Sequence, residues 1–281
     1  MSADLTLISA ATVARLKDGS VLRVQSPYIV TPSAAELADK RNIRIENIVD
    51  TELPDQSPPI QAPDSESEPH SLASYIDSTL LASDATPDQI AALCKEAAQH
   101  RFAAVCVNPI FVELAAKCLA DTRVSVCAVS GFPLGSNSPT IKAAEARLAV
   151  EQGAGEIDMV MPVGLLRAGD YPAVKADIAA VRKALGADTT LKTIIEASLL
   201  TDEEKIAASI IAVEAGANFV KTGTGFAGPA TIEDVRLIRQ AIGDRARIKA
   251  AGGIRDRRTA EALIAAGADR IGTSSAITIL S

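Results

Sequence analysis

The sequence predicts an α/β protein whose main body is a (β/α)8 TIM barrel, preceded by a small N-terminal α+β unit and a disordered linker. After residue 71, eight short apolar runs alternate with helical patterns of ten or more residues. The runs are almost continuously apolar, as in parallel strands that are buried on both faces. A doubly wound open sheet is the alternative, because periodicity alone does not separate the two folds. The runs cover residues 73–77, 103–108, 124–130, 156–161, 190–196, 218–222, 247–250 and 270–273.

A weak internal repeat supports this barrel. The stretches AVEQGAGEIDMV, AVEAGANFVKTG and LIAAGADRIGTS share a helix end, a Gly-Ala step and the start of a strand. Gly153, Gly216 and Gly267 stand where each helix must stop, and glycine tolerates the left-handed backbone found there. The repeat therefore marks helix-to-strand joints and indicates nothing about chemistry.

Residues 1–50 are predicted to form a separate small unit. A helix over 9–17 should end near Gly19, and a strand should follow at 21–25. Pro32 suits the first turn of a second helix, which would run to about Lys40 and precede a strand at 43–49. A unit of this size has a marginal core by itself, so we expect a docking or assembly module rather than an enzyme.

Residues 51–71 are predicted to be a flexible linker. They hold five of the 14 prolines and five acidic residues, with no lysine or arginine. Such a composition buries too little apolar surface to become ordered. The barrel is therefore predicted to occupy residues 72–281.

Composition excludes several classes of partner. The formal net charge is −7 and aromatic residues make up only 3%, so we expect no nucleic-acid partner. No apolar run approaches the length of a membrane span, and the N-terminus lacks a secretory signal, which predicts a cytoplasmic protein without membrane partners.

Cysteines and histidines are too few for most metal sites. The four cysteines form no C-x-x-C pair, and we expect them to be buried reduced thiols. The two histidines leave no set for a zinc site or a serine-type triad, so we predict no metal. Chemistry must then come from lysines, carboxylates, hydroxyls or the backbone.

Three lysines fall within or at the end of apolar runs, namely Lys192, Lys221 and Lys249. A buried ammonium must be paired or lose its proton. For one such lysine, a salt bridge to a barrel carboxylate is the simpler explanation. Three lysines in neighbouring strands together favour a catalytic role. The candidate carboxylates are Asp77, Asp158 and Glu196.

The carboxyl ends of barrel strands form active sites, and Lys221 and Lys249 end consecutive strands. An amine that attacks a carbonyl near pH 7 must be neutral, which requires a lysine pKa about 3 units below its reference value. A neighbouring ammonium and a dry site both favour that neutral form. One lysine would be the nucleophile, the other its electrostatic partner, and Asp158 would move protons. Such Schiff-base chemistry needs no metal or cofactor.

Glycine-rich segments follow the last three strands. These are KTGTGF at 221–226, KAAGGI at 249–254 and IGTSSA at 271–276. Glycines let backbone N–H groups approach an anion, and hydroxyls add donors. Loops after the last two strands are the usual phosphate site of this barrel, so we expect a phosphorylated substrate.

From about Tyr75 to Ile279 the sequence resembles the class I 2-deoxyribose-5-phosphate aldolases. The resemblance implies reversible cleavage of 2-deoxy-D-ribose 5-phosphate to D-glyceraldehyde 3-phosphate and acetaldehyde through a lysine Schiff base. The matching stretches, in order, are IDSTLL, LCKEA, AVCVNP, SGFPLG, GEIDMVMPVG, LKTIIEASLLT, FVKTGTGF, IKAAGGI and RIGTSS.

The resemblance also implies roles for individual residues. Lys221 would form the Schiff base, Lys249 would be its electrostatic partner, and Asp158 would donate and accept protons through water. The implied phosphate ligands are Gly225, Gly252, Gly253, Ser274 and Ser275. The residues implied to line the sugar end of the pocket are Thr79, Cys106, Asn108 and Lys192.

Three positions depart from the pattern of that family. Ser78 stands where the family often has histidine, Gly223 replaces a serine, and Ala251 replaces another. Because two hydroxyls are lost near the expected pocket, a Schiff-base aldolase for another phosphorylated sugar is an alternative. A weakly active barrel that serves an interaction role is a second.

The segment YIVTPSAAELADKRNIRI is similar to a short unit of bacterial microcompartment proteins for ethanolamine utilisation. The resemblance implies that residues 1–50 dock the chain to shell or cargo proteins, with a location inside such a compartment. The competing hypothesis is a dimerisation or solubility appendage, and a homo-oligomer is among the expected partners.

Overall fold

In the computed structural model, the described residues are 6–8, 10–25, 28–30, 32–48 and 71–281. The chain divides into two compact units, Met1–His70 and Ser71–Ser281. Of the predicted linker, residues 51–70 lie outside the described residues, as does Ser9 at the start of the first predicted helix. No helix in the described ranges is both long and apolar enough to cross a membrane.

The N-terminal unit is a β-α-β arrangement that occurs twice. Strand β1 pairs in parallel with β3, and β2 pairs in parallel with β4, so each half contributes one strand to each two-stranded sheet. Strands β1 and β3 were not among the predicted elements, and α1 is shorter than predicted. The elements are β1 Thr6–Ile8, α1 Ala10–Ala14, β2 Val21–Gln25, β3 Tyr28–Val30, α2 Pro32–Lys40 and β4 Arg44–Ile48.

A small core holds the unit together. Its buried members are Ile8, Val13, Ala34, Ala38 and Ile43. Both helices therefore pack onto the same centre, and their apolar burial is the main stabilising term.

Eight parallel strands of the second unit close into a barrel, which confirms the predicted fold and excludes the open sheet. Neighbouring strands pair in chain order, and β12 pairs with β5 to close the ring. The strands are β5 Ile76–Leu80, β6 Ala104–Val107, β7 Ser125–Ser130, β8 Glu156–Val160, β9 Thr190–Ile194, β10 Phe219–Lys221, β11 Arg247–Ala251 and β12 Arg270–Thr273.

Helices connect the strands and surround them. Threonine caps begin three of them, and two of these, Thr86 and Thr201, each form a reciprocal capping box with the residue three positions later. The helices are α3 Pro87–His100, α4 Val112–Leu119, α5 Pro139–Glu151, α6 Val163–Arg167, α7 Tyr171–Ala184, α8 Asp202–Glu214, α9 Ile232–Ile242, α10 Arg257–Ala265 and α11 Ala276–Leu280.

The repeated glycines end helices as predicted. Gly153, Gly216 and Gly267 have φ values of 109°, 93° and 115°. A residue with a side chain is strained in this region of backbone conformation, so the repeat reflects how each helix stops.

The first barrel strand is shifted from its predicted position. Residues Leu72–Tyr75 form a 3₁₀ turn, and β5 begins at Ile76. Asp77 and Ser78 therefore lie within the strand rather than after it. Asp158, Lys192 and Lys249 likewise lie inside their strands, and only Lys221 is the last residue of its strand.

Candidate active site

Charged side chains fill the inside of the barrel. Among the described residues, four cations and three carboxylates join in one continuous set of ion pairs, which we call the barrel cluster. Its members are Asp77, Glu156, Asp158, Lys192, Lys221, Lys249 and Arg270. Such a set is costly to bury unless each charge has partners at close range.

Asp158 is the centre of the barrel cluster. Its Oδ2 accepts from Lys221 Nζ at 2.7 Å and from Lys249 Nζ at 2.8 Å, and its Oδ1 accepts from Lys192 Nζ at 3.0 Å. Burial alone would raise the pKa of Asp158, but the three ammonium groups outweigh it and hold that pKa well below its usual range. Asp158 is therefore a carboxylate.

A second layer of ion pairs supports the lysines from below. Asp77 Oδ2 lies 2.6 Å from Lys249 Nζ, and Arg270 contacts Asp77 and lies 2.8 Å from Glu156. Burial opposes the charge on Asp77, but Lys249 and Arg270 prevail and hold its pKa at about 2. The sequence assigned no role to Arg270, and no motif signal singles it out; it emerges only because Gly272 of its strand pairs with Asp77 across the closing seam.

Lys192 and Lys249 keep their protons. Both are fully buried, and burial alone would lower the pKa of each. Asp158, with Glu156 or Asp77 beside it, outweighs burial and raises both pKa values. These two lysines are therefore fixed positive charges.

A cavity of about 750 Å³ opens above the barrel cluster. Of the three lysines, Lys221 alone lines it, and Lys192 and Lys249 lie beneath. The predicted site residues that line the cavity are Thr79, Asn108, Lys221, Gly225, Gly252, Gly253 and Ser274.

Several predicted residues lie outside the cavity wall. Cys106 and Asp158 are fully buried below it, as Lys192 is, and Ser275 does not line it. The Ser275 N–H instead donates to Thr273 Oγ1 at 2.9 Å. The structure therefore does not bring the whole predicted set to one surface.

The lining residues that the sequence analysis did not predict include two aromatic rings and a second cation. Phe132 and Phe226 make an edge-to-face contact with ring centroids 5.5 Å apart, and both line the cavity. Arg255 is the other lining cation besides Lys221 among the described residues. Phe132 lies inside the quoted motif SGFPLG, Phe226 is the last residue of KTGTGF, and Arg255 directly follows KAAGGI, so the motifs could have indicated all three.

The glycine-rich ends adopt backbone that a side chain would disturb. Gly225 and Gly252 have φ values of 87° and 113°. A Cβ added at Gly252 would lie 2.7 Å from the carbonyl oxygen of Gly228. These residues must be glycine, and their backbone can approach a ligand closely.

Glu196 does not pair with a barrel lysine, so its predicted role as a salt-bridge partner is wrong. Its carboxylate accepts from the Thr224 N–H at 3.1 Å and from Thr224 Oγ1 at 2.6 Å. A Cβ at Gly223 would lie 2.8 Å from Glu196 Oε1. A serine at this position would therefore require the Glu196 carboxylate or the loop to shift. Ala251 lines the cavity directly, and Ser78 is buried.

Thiols lie beside the central carboxylate. Cys106, Cys127 and Asp158 place one ligand atom each within 4.8 Å of the others. Three ammonium groups already contact Asp158, and their repulsion opposes a bound cation. Elsewhere Cys94 is buried and Cys118 is exposed, so the expectation of four buried thiols is wrong for Cys118.

Residues 71–279 match the family model described as DeoC/LacD family aldolase. The chain is 54% identical over 207 residues to the deoxyribose-phosphate aldolase of Brevibacillus brevis, covering 73% of this chain and 93% of that protein. It is 52% identical over 212 residues to that of a Geobacillus species, covering 75% and 95%.

Solved structures resemble the same part of the chain. The tetrameric deoxyribose phosphate aldolase of Aeropyrum pernix is 33% identical with a TM-score of 0.70, covering 74% of this chain and 89% of that one. An aldolase named QR15 is 40% identical with a TM-score of 0.71, covering 74% and 94%.

Proposed function

Because this chain belongs to the DeoC/LacD family of aldolases, we propose that its barrel reversibly cleaves 2-deoxy-D-ribose 5-phosphate to D-glyceraldehyde 3-phosphate and acetaldehyde. It is a carbon–carbon lyase of the Schiff-base type, with Lys221 as the nucleophile. The observation that carries this assignment is that Lys221 alone, among the three lysines of the barrel cluster, faces the cavity.

The barrel cluster has one more cation than it has carboxylates. Four cations meet three carboxylates among its described members, so full protonation leaves one excess positive charge. Lys192 and Lys249 hold their protons, as argued above, and arginine does not lose its own. An amine adds to an aldehyde only without its proton, so in the proposed mechanism the attacking lysine gives up one proton before the addition.

The first stage joins the amine to the sugar aldehyde. The lone pair of Lys221 Nζ adds to the aldehyde carbon, and loss of water leaves an iminium bond. Asp158 lies 2.7 Å from Nζ and is ionised, so it can accept and return the protons that this addition moves. Lys249 stays charged, donates to the same Asp158 Oδ2 at 2.8 Å and holds that carboxylate in position.

The second stage breaks the carbon–carbon bond. Asp158, acting through water, takes the proton from the hydroxyl on the carbon β to the iminium carbon, and the bond between the α and β carbons then breaks. Its electron pair moves toward the iminium nitrogen to form an enamine, and D-glyceraldehyde 3-phosphate leaves. Protonation of the enamine carbon and addition of water then release acetaldehyde and restore the amine.

The glycine-rich rim is suited to the phosphate. Gly225, Gly252, Gly253 and Ser274 all line the cavity that Lys221 enters. Arg255 adds a positive charge at the same side. We propose that these groups bind the phosphate and so hold the aldehyde end toward Lys221. Thr79 and Asn108 would contact the sugar between them.

Borohydride trapping tests the assignment. The protein is incubated with 2-deoxy-D-ribose 5-phosphate, reduced, and mapped by mass spectrometry. We expect a stable adduct on Lys221, no adduct in Lys221→Ala, and an unchanged adduct in Lys175→Ala, whose lysine pairs with Glu214 outside the barrel. An adduct on a different lysine, or none in the folded protein, would remove the assignment.

The cavity wall at Ala251 favours one second candidate, a Schiff-base aldolase for another phosphorylated sugar. A hydroxyl that the family often carries is missing at this lining position. A panel of phosphorylated sugars compared by kcat/KM separates the two. Preference for deoxyribose 5-phosphate supports the main proposal, and preference for another sugar supports the second.

For residues 1–50 we propose docking to shell or cargo proteins of a bacterial microcompartment, with the barrel otherwise in the cytoplasm. The support is the sequence resemblance described above, and the fact that the unit has its own core. Deleting residues 1–70 should keep aldolase activity but abolish co-localisation with a fluorescent shell protein. Retained co-localisation would refute docking through this unit.

Homo-oligomerisation is proposed as well, since the Aeropyrum pernix relative is tetrameric. Light scattering on the full chain measures it, and a monomer at micromolar concentration would refute it.

A further inference from the structure

Two buried thiols occupy neighbouring positions inside the barrel. Cys106 on β6 and Cys127 on β7 are in-register partners on adjacent parallel strands. Adjacent strands lie about 4.8 Å apart, which is within the Cα separations that disulfides bridge. Both residues belong to one buried cluster, so their side chains share the same face of the sheet.

These thiols lie just below the cavity. Leu81 and Phe132 pack against the thiol cluster, and both of them line the cavity. Thr79, the in-register neighbour of Cys106 on β5, lines it too. A small oxidant that enters the cavity therefore meets a single layer of side chains before the thiols.

The environment makes the two sulfurs unequal. The side-chain interaction with Cys127 is the main cause that lowers the pKa of Cys106, and Lys249 and Lys221 act in the same direction against burial. Burial raises the pKa of Cys127 well above its usual value. A low-pKa cysteine beside a second thiol is the arrangement of a redox-sensitive pair.

We propose that Cys106 and Cys127 are a modification site, a reversible disulfide that a peroxide forms inside the barrel. The Cys106 thiolate attacks a peroxide oxygen, which gives a sulfenic acid and releases hydroxide. Cys127 sulfur then attacks the sulfenic sulfur, and water leaves with the thiol proton. Two thiols and one hydrogen peroxide thus become one disulfide and two waters.

The disulfide would disturb the catalytic carboxylate. Cys127 Sγ donates to Asp158 Oδ1 at 3.1 Å, and Lys192 Nζ lies 3.4 Å from the same sulfur. Turning Cys127 toward Cys106 removes the donor to Asp158, and Asp158 also holds Lys221. The pair therefore switches off the aldolase; this consequence rests on the proposed function, but disulfide formation does not.

The test uses a full-length variant, Cys94→Ala/Cys118→Ala, in which these two thiols alone remain. After hydrogen peroxide we expect the intact mass to fall by two hydrogen atoms, with a peptide that links the two strands and no dimer on a non-reducing gel. Aldolase activity should fall roughly a hundredfold, as expected when a catalytic group is misplaced. Dithiothreitol should restore both mass and activity.

Adding Cys127→Ala to that variant supplies the matched control. Cys106 should then gain oxygen instead of a cross-link, and dithiothreitol should not restore activity lost through higher oxidation. Two thiols that stay reduced under peroxide conditions that oxidise the exposed Cys118 of the unsubstituted protein would overturn the site. A disulfide that leaves activity unchanged would overturn the switch. A reduced protein that never cleaves the substrate would refute the proposed function, while the mass measurement still decides the disulfide.

Discussion

Two regions of the barrel unit bury lysines completely, and they differ in how many counter-charges surround the ammonium. Lys142 on α5 has one carboxylate, Asp177 on α7 at 2.9 Å, and also donates to the Val160 carbonyl at 2.9 Å. Lys249 has two carboxylates, Asp77 at 2.6 Å and Asp158 at 2.8 Å. Neither lysine side chain is exposed to solvent, and the two differ in the number of carboxylates that they contact.

The pKa directions are opposite in the two regions. Burial lowers the pKa of Lys142 and raises that of Asp177, because one partner does not repay the desolvation of either. In the barrel cluster the pKa of Lys249 is raised and that of Asp77 is lowered to about 2. Several mutual partners thus keep charges ionised inside the protein, which a catalytic carboxylate needs. The isolated pair serves structure.

Asp158→Asn should produce the largest effect. It removes the ionised carboxylate that contacts both Lys221 and Lys249, and we expect kcat to fall by roughly 10²–10⁴. Steady-state kinetics with circular dichroism checks it. The control is Asp177→Asn, measured where it is folded, and it should keep kcat within about twofold because general acid–base catalysis does not involve it. Equal losses in the two variants would contradict the distinction.

Lys142→Met should cost stability and spare the chemistry. Asp177 would be left buried without its partner, which typically destabilises by about 3–5 kcal/mol. Urea unfolding gives the free energy, and kcat at a permissive temperature should stay close to wild type. The double variant Lys142→Met/Asp177→Leu should recover most of the loss. A single variant as stable as wild type would show that the pair is dispensable.

The two regions should respond to acid with opposite signs. The pKa of Asp77 is lowered from 3.8 to about 2, so its stabilisation is present above pH 3.8 and is lost as the pH falls to about 2. That shift corresponds to about 2 kcal/mol of unfolding free energy. Asp77→Asn should therefore remove about this much of the unfolding free energy that the protein loses between pH 3.8 and about pH 2.

Asp177 provides the contrast in the same measurement. Its pKa is raised, so it remains protonated in the folded protein above pH 3.8 and costs stability as the pH rises through that raised value. Asp177→Asn should therefore remove a fall of the unfolding free energy with rising pH, which is opposite in sign to the contribution of Asp77. Urea unfolding at several pH values between about 2 and 6 measures both, and slopes of the same sign would contradict the comparison.

A partly exposed lysine should give the smallest effect. Lys205 is 15% exposed and pairs with Asp234 at 2.7 Å and Asp202 at 3.1 Å. Water already solvates part of this group, so Lys205→Met should cost only about 1 kcal/mol or less, and high salt should reduce the difference. Unfolding in low and high salt checks it. A loss as large as that of Lys142→Met would mean that partial exposure makes no difference.

Much of the fold was accessible from the sequence because buried parallel strands leave a strong pattern. The alternation of apolar runs with helices located all eight barrel strands, although the first was placed a few residues early. Strands β1 and β3 escaped because each has only three residues, too few for a period to appear. The contact of Arg270 with Asp77 was not predicted either, because it depends on closure of the barrel.

The sequence by itself determined the chemical inventory: three strand lysines, a central aspartate, and glycine where only glycine can adopt the backbone. The local pattern did not separate the three lysines, and the tertiary structure shows which of them faces the cavity. Lys221 and Lys249 are in-register partners on adjacent strands, yet Lys221 reaches the cavity and Lys249 stays below it between two carboxylates. The physical reason is that a charge's neighbours in a closed barrel come from strands far apart in the chain, so local sequence carries neither their number nor their distance.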